Sequence, residues 1–445
     1  MYMVKTRIAP SPTGRFHIGT ARTALVNYLY ARHEGGQFVI RIEDTDKERS
    51  KVEYEAEILE GLAWLGLEAD EFVRQSERAP RHTELLEKLV ASGHAYVSKE
   101  ESKNEAGKTV EVVRLKNPGR SITFHDEVRG DITFDTGELG DFVIARSLTD
   151  PLYHFAVVVD DWDAGITHVI RGEDHISNTT RQILIQEALG APRPVYAHLP
   201  LILDEKRAKL SKRNGATSVM DYRAEGILPE ALVNYLALLG WSPGNDREDF
   251  SLAELVDAFS LEGIQKSSGS WDRTKLLSVN QRWMRKLSDE DYAHHVHELG
   301  GFDLETLHRV VPLLRERAHT FREAHDLLGS ELQCLFEKPR LALTDLVKKE
   351  PAERTGLTRA SLAAALEVLR TLPDPVSSES AKDALMPLAE AEEAKGKGGR
   401  GAFLWPLRYA LSGQERSPDP FTLIAILGIH DSEARIREAM GMLAH

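Results

Sequence analysis

The chain has 445 residues, of which 42% are hydrophobic, and its net charge at neutral pH is −14. This length predicts about three domains, or one large domain with an appendage. The acidic balance excludes a generally basic nucleic-acid-binding coat but allows local basic patches. No apolar run approaches the roughly 18 residues that cross a bilayer, so no membrane-spanning helix is expected. A single cysteine, Cys334, excludes a disulfide framework and a multi-cysteine zinc site, and favours a cytoplasmic location.

The first 75 residues predict a strand–helix–strand–helix order. "KTRIAP" is strand-like, and "ARTALVNYLYARHE" repeats its apolar residues at the period of a helix. "GGQFVIRIEDTD" returns as a strand after a glycine pair that ends the helix, and "EYEAEILEGLAWLGL" is again helical. Parallel strands joined by helices indicate a doubly wound α/β sheet, which binds its ligand at the carboxyl ends of the strands.

The loop after the first strand, "PSPTGRFHIGT", is unusually rich in proline and glycine. It enters the helix near Gly19, where unpaired backbone N–H groups and the helix dipole suit an anion such as phosphate. Gly19 lacks a Cβ and allows close approach of a nucleotide, and His17 could donate to a phosphate oxygen. A His-x-Gly triplet alone is more often structural. Its position in the first crossover loop of the sheet favours a binding role.

Residues 78–145 differ in character, with one helix followed by short β-rich segments, "VEVVRL", "SITFHDEV", "GDITFD" and "DFVIARS". They predict an insertion between two halves of the sheet. The α/β pattern resumes with "LYHFAVVVDD", "THVIRGED", the helix "NTTRQILIQEALG" and "VYAHLPLILD". From about residue 228 the chain is predicted to be mostly helical.

A second notable segment, "KRAKLSKRNGATS", has five Lys or Arg within the eight residues from Lys206 to Arg213. Such a run is most often a solvated basic loop. The alternative is a mobile clamp whose Lys209 and Lys212 approach a triphosphate as charge builds in the transition state.

These two segments belong together in one family. "PSPTGRFHIGTAR" and "KLSKR" resemble the HIGH and KMSKS signatures of class I aminoacyl-tRNA synthetases. "RIAPSPTG", "RIEDTD", "VVVDDWDAGITHVIRGEDHISNT" and "LPEALVNYLALLGW" are similar to blocks of the bacterial-type glutamyl-tRNA synthetases, and the resemblance spans essentially the whole chain. Thr20, Leu210 and Arg213 depart from the two signatures in ways that are familiar in this family.

The resemblance implies a Rossmann-type parallel-sheet α/β catalytic domain with an inserted α+β acceptor-binding domain, followed by all-α stem-contact and anticodon-binding regions. We predict the catalytic halves at residues 1–77 and 146–225, the insertion at 78–145, the stem-contact region at 226–310 and the anticodon-binding domain at 311–445.

The implied activity is the ATP-dependent attachment of L-glutamate to tRNA(Glu) through a glutamyl-adenylate, with Mg²⁺ accompanying ATP. The substrate carboxylate is itself the nucleophile, so no Ser or Cys nucleophile is needed, and the protein acts by positioning and by stabilising phosphate charge. We expect a monomer without membrane contact. Some relatives carry a longer insertion with a Cys-rich zinc site, but this insertion is short and lacks cysteine, so no zinc is predicted.

The resemblance assigns roles to individual residues. Those assigned to glutamate are Arg7, Ala9, Ser11, Glu43, Tyr153 and Arg171. Those assigned to ATP are His17, Gly19, Asp174, Ile202, Lys209, Ser211 and Lys212, of which His17, Gly19, Lys209 and Lys212 are the predicted catalytic set.

Residue chemistry supports part of this assignment. Arg7 and Arg171 end strands and could bind carboxylates, with Glu43 as the ammonium partner. For the acidic residues Asp160, Asp161 and Glu173, an ion pair or cap is as good an interpretation as ligand contact. His175, beside them, could stack on the nucleotide.

RNA contact requires basic surface despite the acidic total charge. The segments "RTKLLSVNQRWMRK" and "AKGKGGRGAFLWPLRYALSGQ" are basic and free of acidic residues. The predicted tRNA contacts are Arg273, Lys275, Arg282, Arg285, Lys397, Arg400 and Arg408. The rings of Trp405 and Tyr409 could stack on unpaired bases, but packing in a helical core is the favoured interpretation for them.

Several alternatives remain open at this point. A non-discriminating form would also glutamylate tRNA(Gln). A glutaminyl-tRNA synthetase shares both signatures but binds the anticodon with β-barrels, and a truncated relative that modifies a tRNA base lacks the anticodon domain. A non-catalytic tRNA-binding paralogue would be expected to have lost His17, Lys212 or Arg7, and all three are present.

Overall fold

A computed structural model describes residues 3–101, 109–204, 206–208, 218–348, 351–394 and 399–443, with the backbone alone at residues 351–354. The predicted site residues Lys209, Ser211, Lys212 and Lys397 lie outside the described residues. The chain divides into two compact units, with the boundary between Trp283 and Met284. The boundaries of the five predicted regions stay predictions.

The strands are β1 (Lys5–Ile8), β2 (Gln37–Ile42), β3 (Glu71–Arg74), β4 (Ala95–Glu101), β5 (Thr109–Leu115), β6 (Ser121–Asp126), β7 (Gly130–Asp135), β8 (Phe142–Ser147), β9 (Asp150–Pro151), β10 (His168–Gly172), β11 (Val195–Leu199), β12 (Ile202–Leu203) and β13 (Gly269–Ser270). The helices of the first unit are α1 (Ile18–His33), α2 (Val52–Trp64), α3 (Ala79–Ala91), α4 (Tyr153–Asp163), α5 (Ile176–Leu189), α6 (Val219–Ala224), α7 (Pro229–Leu238) and α8 (Leu252–Ala258), and α9 (Arg273–Lys286) spans the boundary. Those of the second unit are α10 (Asp289–His297), α11 (Leu304–Arg317), α12 (Phe321–Leu328), α13 (Leu343–Leu346), α14 (Pro351–Leu369), α15 (Ser378–Ala394), α16 (Gly401–Ser412) and α17 (Pro420–Met442).

The core of the first unit is a doubly wound parallel sheet. Strands β1, β2 and β3 pair in parallel, and β10 pairs in parallel with β11. The two sets meet at Thr167, whose N–H donates to the carbonyl of Lys5 at 3.0 Å. The resulting succession β3-β2-β1-β10-β11 reverses direction between β1 and β10, which is where this architecture leaves a crevice for a ligand. The predicted α/β fold, with a helical region after it, is confirmed.

Local sequence explains why these elements form. In β2, five of the six residues are buried, as expected for a strand covered on both faces. Helix α1 packs on this sheet through Ala21, Leu25 and Leu29, which are fully buried at helical spacing. Burying each leucine contributes about 1.5–3 kcal/mol.

The predicted insertion contributes strands to two sheets. Strands β4, β5, β8 and β9 form an antiparallel sheet, whereas β6 and β7 extend the core sheet beyond β11. The link is a parallel pairing of Asp126 in β6 with Tyr196 in β11. The segment "LYHFAVVVDD", whose apolar run continues the α/β pattern in sequence, forms helix α4. Its buried valines pack in the same hydrophobic core as β5 and β8.

Gly36 lies between the end of helix α1 and the start of β2. A Cβ at this position would lie 2.0 Å from the carbonyl oxygen of Val4, a backbone atom that cannot move without shifting β1. We expect Gly36→Ala to destabilise the first unit by about 2 kcal/mol, as overpacking does elsewhere. The neighbouring Gly35 has a φ of +62° and open space around it, so Gly35→Ala should cost only about 1 kcal/mol. Thermal unfolding of both variants checks this order, and a larger loss for Gly35→Ala would contradict it.

The second unit consists of helices and short turns among its described residues. Cys334 is buried within it, and burial raises the pKa of its thiol to about 11, so the thiol is inert near neutral pH. Across the described part of the chain, no helix is both long and apolar enough to span a bilayer.

Candidate active site

A cavity of about 590 Å³ lies at the carboxyl ends of the core strands, in the crevice between β1 and β10. The loop from β1 to α1 forms one wall, and Glu43, just after β2, lies beneath it. Arg171 and the segment after β11 form the opposite wall. Sheet topology therefore places the site where doubly wound folds bind their ligands.

Two arginines and two carboxylates form a buried ionic cluster at one end of this cavity. Nε of Arg7 donates to Oδ1 of Asp161 at 3.1 Å, and Nη1 of Arg41 donates to the same oxygen at 2.6 Å. Nη2 of Arg41 also donates to Oε1 of Glu43 at 3.2 Å. Buried charges are costly unless they are paired. Within the described residues the guanidinium of Arg7 makes no further hydrogen bond, which leaves its two Nη groups to a carboxylate in the cavity.

The pKa shifts of the two carboxylates differ in direction. Burial raises the pKa of Glu43, although Arg41 and Arg7 act in the opposite direction. Burial also acts to raise the pKa of Asp161, but Arg41 and Arg7 outweigh it and the pKa of Asp161 is lowered. Asp161 is therefore a fixed anion that orients the arginines, whereas Glu43 is the carboxylate whose charge is sensitive to pH.

Arg171 faces the cavity from β10 and is only 6% exposed. Its Nη2 donates to Oγ1 of Thr179 and to Oε1 of Gln182, both at 2.7 Å, and both partners lie on α5. Burial lowers the pKa of Arg171. Its Nη1 is buried and has no hydrogen-bond partner among the described residues. An unpaired buried donor is unfavourable, so Nη1 is suited to an incoming anion.

Tyr153 and His175 contact one another beside Arg171. The hydroxyl of Tyr153 lies 3.1 Å from Nδ1 of His175, and Nδ2 of Asn178 lies 3.3 Å from the same nitrogen. Burial lowers the pKa of His175 to about 4, so the ring is neutral near neutral pH, and Nδ1 is an acceptor because the Asn178 amide nitrogen can only donate to it. The Tyr153 hydroxyl, whose pKa burial raises, therefore donates to His175. Stacking of His175 on a nucleotide stays a prediction.

The N-terminus of α1 also lines the cavity. His17 caps this helix, and the Thr20 N–H donates to its Nδ1 at 3.4 Å. A Cβ at Gly19 would lie 3.2 Å from two atoms of the His17 ring. A side chain at position 19 would therefore press on the imidazole as well as fill the space above the helix end.

The three acidic residues with open interpretations form internal contacts. Asp160 accepts from Gln75 and His82, both at 2.8 Å. Asp161 holds the two arginines described above. Glu173 pairs with Arg129 and accepts the Leu201 N–H at 2.9 Å. In the structure, the observed contacts of all three carboxylates are ion pairs and hydrogen bonds within the protein.

The structure brings the described predicted residues for both small substrates to this one cavity. The cavity is lined by Arg7, Ala9, Ser11, Glu43, Tyr153 and Arg171 from the glutamate set, and by His17, Gly19, Asp174 and Ile202 from the ATP set. Their individual roles stay predictions.

Sequence reasoning missed Arg41 as part of this site. A signal was present, because a charged residue inside the apolar run "QFVIRI" needs a buried anion, and Arg41 shares a strand face with Glu43 two residues later. It also missed His198, which accepts a hydrogen bond from Arg171, and Asp126, which contacts His198. No local pattern marks that pair, because only the pairing of β6 with β11 brings the two residues together.

The predicted tRNA contacts near α9 are surface cations with acidic neighbours. Arg273 pairs with Glu225 at 2.9 Å, and Arg282 pairs with Asp249 at 3.0 Å. Lys275 lies 3.5 Å from Glu248. Pairs at such exposure contribute little to stability, so these cations can exchange their partners for phosphate oxygens. In the second unit, Arg285 donates to the carbonyl of Arg315 at 3.4 Å.

The aromatic rings of α16 are held by their own unit. The indole Nε1 of Trp405 donates to the carbonyl of Asp345 at 2.8 Å, and Tyr409 is buried with its hydroxyl 3.3 Å from the same residue's carboxylate. Arg408 lies over the Trp405 ring at 4.9 Å, and Arg400 pairs with Glu393 at 2.8 Å. These contacts favour packing over base stacking for the two rings.

Among the residues that the structure describes, no group of three or more His, Cys, Asp or Glu side chains is arranged to hold a metal ion. The absence of zinc stays a prediction.

The architecture defines a class of protein. A helix N-terminus, which suits an anion, and buried arginines share one cavity at the switch point of a doubly wound sheet, and this arrangement is typical of an α/β enzyme that binds a nucleotide next to an acidic small molecule.

Comparisons with known proteins narrow this class. The catalytic domain of the class I tRNA synthetases (E and Q) matches residues 3–108 and 98–278, and an anticodon-binding domain matches residues 282–440. A glutamate–tRNA ligase of Aquifex aeolicus is 41% identical over 100% of both chains. One from Carboxydothermus hydrogenoformans is 40% identical over 98% of this chain and 99% of its own.

A comparison with solved structures gives the same family as the sequence comparisons. The crystal structure of a glutamate tRNA ligase from Elizabethkingia meningosepticum in complex with its amino acid has a TM-score of 0.85 and 30% identity, over 99% of this chain and 100% of that one. This chain therefore belongs to the glutamate–tRNA ligases of the class I aminoacyl-tRNA synthetases, and the resemblance found in the sequence is confirmed.

Proposed function

We propose that the cavity binds L-glutamate and ATP side by side and forms glutamyl-adenylate, from which the glutamyl group passes to tRNA(Glu). The observation that carries the proposal is that the buried arginines and the capped N-terminus of α1 face one cavity. Glutamate brings two carboxylates and one ammonium, and ATP brings a triphosphate. The cavity offers complementary charge for each of these groups.

At the glutamate end, the free Nη groups of Arg7 are suited to the side-chain carboxylate, because a guanidinium binds a carboxylate through two parallel hydrogen bonds. Nη1 of Arg171 provides a further buried donor, and the Glu43 carboxylate pairs with the ammonium. Tyr153 closes this end, with Ala9 and Ser11 in the loop above. Glutamine, with a neutral amide, would leave buried positive charge unmatched, so the site should discriminate against it.

At the ATP end, the N–H groups of α1 near Gly19 and the imidazole of His17 face the expected position of the phosphates. The α-carboxylate of glutamate attacks the α-phosphorus, a new C–O–P linkage forms, and pyrophosphate leaves with the bonding electrons. Negative charge develops on the phosphate oxygens, and fixed donors stabilise it without having to reorganise. We assign Asp174 and the Ile202 main chain to the nucleotide, and we expect ATP to arrive with Mg²⁺ on its phosphates.

Lys209, Ser211 and Lys212 complete the ATP set by family resemblance. We propose that Lys212 stabilises the charge on the departing pyrophosphate and that Lys209 closes the basic loop over it. In the second reaction step, a ribose hydroxyl at the tRNA 3′ end attacks the glutamyl carbonyl and AMP leaves. We assign phosphate contacts of the tRNA to Arg273, Lys275, Arg282, Arg285, Arg400 and Arg408, together with Lys397.

A charging experiment tests this function. Purified protein, labelled glutamate, ATP and Mg²⁺ are incubated separately with purified tRNA(Glu) and tRNA(Gln). We expect glutamyl-tRNA(Glu) to form. Charging of tRNA(Gln) as well would identify the non-discriminating form. Absence of both products, together with absence of pyrophosphate exchange in the presence of tRNA(Glu), would contradict the proposal in favour of a tRNA-binding paralogue.

We also propose that the protein acts as a cytoplasmic monomer. The single cysteine, Cys334, is a buried free thiol, which is consistent with a reducing compartment. Sedimentation equilibrium should give the mass of one chain, 49.8 kDa, and twice that mass would contradict the monomer.

The pH dependence of glutamate use tests the role of Glu43. The ammonium partner must be ionised, and burial raises the pKa of Glu43, so kcat/KM for glutamate should fall on acidification at a higher pH than an ordinary carboxylate, about 4.3, would give. Glu43→Gln should raise the KM for glutamate at all pH values. It should also shift this acid limb to lower pH. The exposed Glu60→Gln on α2 serves as the control. An unchanged limb in Glu43→Gln would refute the assignment.

A further inference from the structure

Asp126, His198 and Arg171 form a buried hydrogen-bonded chain that ends at the cavity. The carboxylate of Asp126, at the end of β6, lies 2.6 Å from Nδ1 of His198 on β11. Nε2 of the same histidine lies 3.3 Å from Nε of Arg171. Asp126 and His198 are both fully buried, with 0% exposure. None of the substrate contacts proposed above involves either of them.

The positions of the protons in this chain follow from the chemistry of arginine. A guanidinium N–H can only donate, so Nε2 of His198 must accept from Arg171. The ring is neutral, in keeping with the lowering of the His198 pKa by burial, and its proton lies on Nδ1, which donates to Asp126. The carboxylate is oriented in turn by backbone N–H groups of Val128 and Arg129, at 3.1 and 2.8 Å. This hydrogen-bonded chain of side chains is therefore anchored in the turn between β6 and β7.

This chain fixes the guanidinium plane of Arg171. His198 engages Nε on one edge, while Thr179 and Gln182 engage Nη2. Only Nη1 lacks a partner among the described residues. Because the guanidinium is planar and rigid, holding two of its nitrogens determines where the third one points.

We propose that Asp126 and His198 are positioning residues for glutamate binding, which aim the Nη1 group of Arg171 at the substrate and thereby set the affinity for glutamate. The inference rests on the proposed function of the cavity. It assigns a role in amino-acid recognition to β6, a strand within the predicted acceptor-binding insertion.

Asp126→Asn separates positioning from simple packing. One side-chain oxygen remains for the backbone N–H groups, while an NH₂ group replaces the oxygen that faces Nδ1. That donor forces His198 to carry its proton on Nε2, directly opposite the N–H of Arg171. Among the described residues, Nε2–H can then donate only to the Thr179 hydroxyl, 3.0 Å away, and Arg171 loses the acceptor that held its Nε.

A matched control lies on the same hairpin. Asp131 accepts from His125 at 2.7 Å, but both side chains are exposed. Asp131→Asn therefore removes a similar Asp–His contact without touching Arg171. The readouts are the KM for glutamate, the KM for ATP and kcat at saturating glutamate, all measured with tRNA(Glu) present.

We expect Asp126→Asn to raise the KM for glutamate on the order of 10-fold or more, as is typical when a buried hydrogen-bonding network is broken. The KM for ATP should change less than about twofold, and Asp131→Asn should match the wild type. An unchanged glutamate KM in Asp126→Asn, or equal rises for glutamate and ATP, would overturn the proposal.

A second pair of variants tests the proposal even if Asp126→Asn does not fold. His198→Gln keeps an acceptor oxygen for Arg171, whereas His198→Leu removes it, so the glutamate KM should rise more in the leucine variant. Equal KM values in the two would overturn the proposal.

The ¹⁵N chemical shifts of His198 give a readout that does not depend on activity. They should show the proton on Nδ1 in the wild type and on Nε2 in Asp126→Asn. A proton on Nε2 in the wild type would contradict the proposed hydrogen bonds from Arg171 to His198 and from His198 to Asp126. If the wild type fails to charge tRNA(Glu), the proposed function fails, and these shifts still report on the positioning chain separately.

Discussion

Replacing Arg7 with alanine is expected to raise the KM for glutamate by about 100-fold, since removing one partner of a buried, hydrogen-bonded charge pair costs about 2–5 kcal/mol. The substrate loses its bidentate donor, and Asp161 keeps only Arg41 at the shared oxygen. The KM for ATP should stay near the wild-type value because Arg7 is assigned to glutamate, whereas His17 and the N-terminus of α1 are assigned to the phosphates. Steady-state charging of tRNA(Glu) at varied glutamate and ATP checks both values.

Two further variants control for lost packing. Arg81→Ala removes an arginine whose Nε lies 3.1 Å from Asp163, also on α4 but outside the cavity, and it should leave both KM values unchanged. Arg7→Lys keeps the charge but loses the forked geometry, so its glutamate KM should fall between those of the wild type and Arg7→Ala. Equal rises in the KM for glutamate and for ATP in Arg7→Ala would argue against a specific contact with glutamate.

Lys212→Ala should lower the rate of adenylate formation by about 100- to 1,000-fold, the loss typical of removing one donor to a developing oxyanion. The affinity for tRNA(Glu) should change far less, because one phosphate contact among many contributes little to RNA binding. Pre-steady-state measurement of adenylate formation, alongside a filter-binding measurement of tRNA affinity, separates the two effects.

Lys206→Ala is the matched control for this prediction. Lys206 begins the same basic run and is exposed, so the variant removes an equal charge from the segment. Its rate of adenylate formation should stay within about threefold of the wild type, as for most surface substitutions. Equal losses of rate and of tRNA affinity in Lys212→Ala would indicate a general electrostatic contribution of the basic run instead of a catalytic one.

Much of the core fold and of the cavity could be predicted because the relevant signals are local. Each parallel strand ends with its site residues, such as Arg7 in β1, Glu43 after β2 and Arg171 in β10, and parallel sheets bring those ends to one edge. The loop before α1 could also be located from the sequence, because its proline and glycine residues interrupt the strand and helix patterns on either side. The mostly helical character of the chain after about residue 228 was predicted as well, and the family resemblance extended it to the second unit.

Other features could not be predicted because they depend on contacts between distant segments. The sharing of Asp161 by Arg7 and Arg41 joins three elements, and the sequence left Asp161 open between a structural and a binding role. Asp126 and His198 are 72 residues apart and meet only through the pairing of β6 with β11, two strands that local pattern assigns to different regions. Helix α4 is a similar case, since its valine-rich run has the composition of a strand and tertiary packing overrides that preference.

The central claim is that one cavity holds glutamate at its arginine end and the phosphates of ATP at the N-terminus of α1. A crystal structure of the protein with a non-hydrolysable glutamyl-adenylate analogue tests it most directly. The account predicts the side-chain carboxylate of the analogue within about 3 Å of the Arg7 Nη groups, with its phosphate beside His17 and Gly19. An analogue bound elsewhere, or one whose carboxylate points away from both Arg7 and Arg171, would contradict the account.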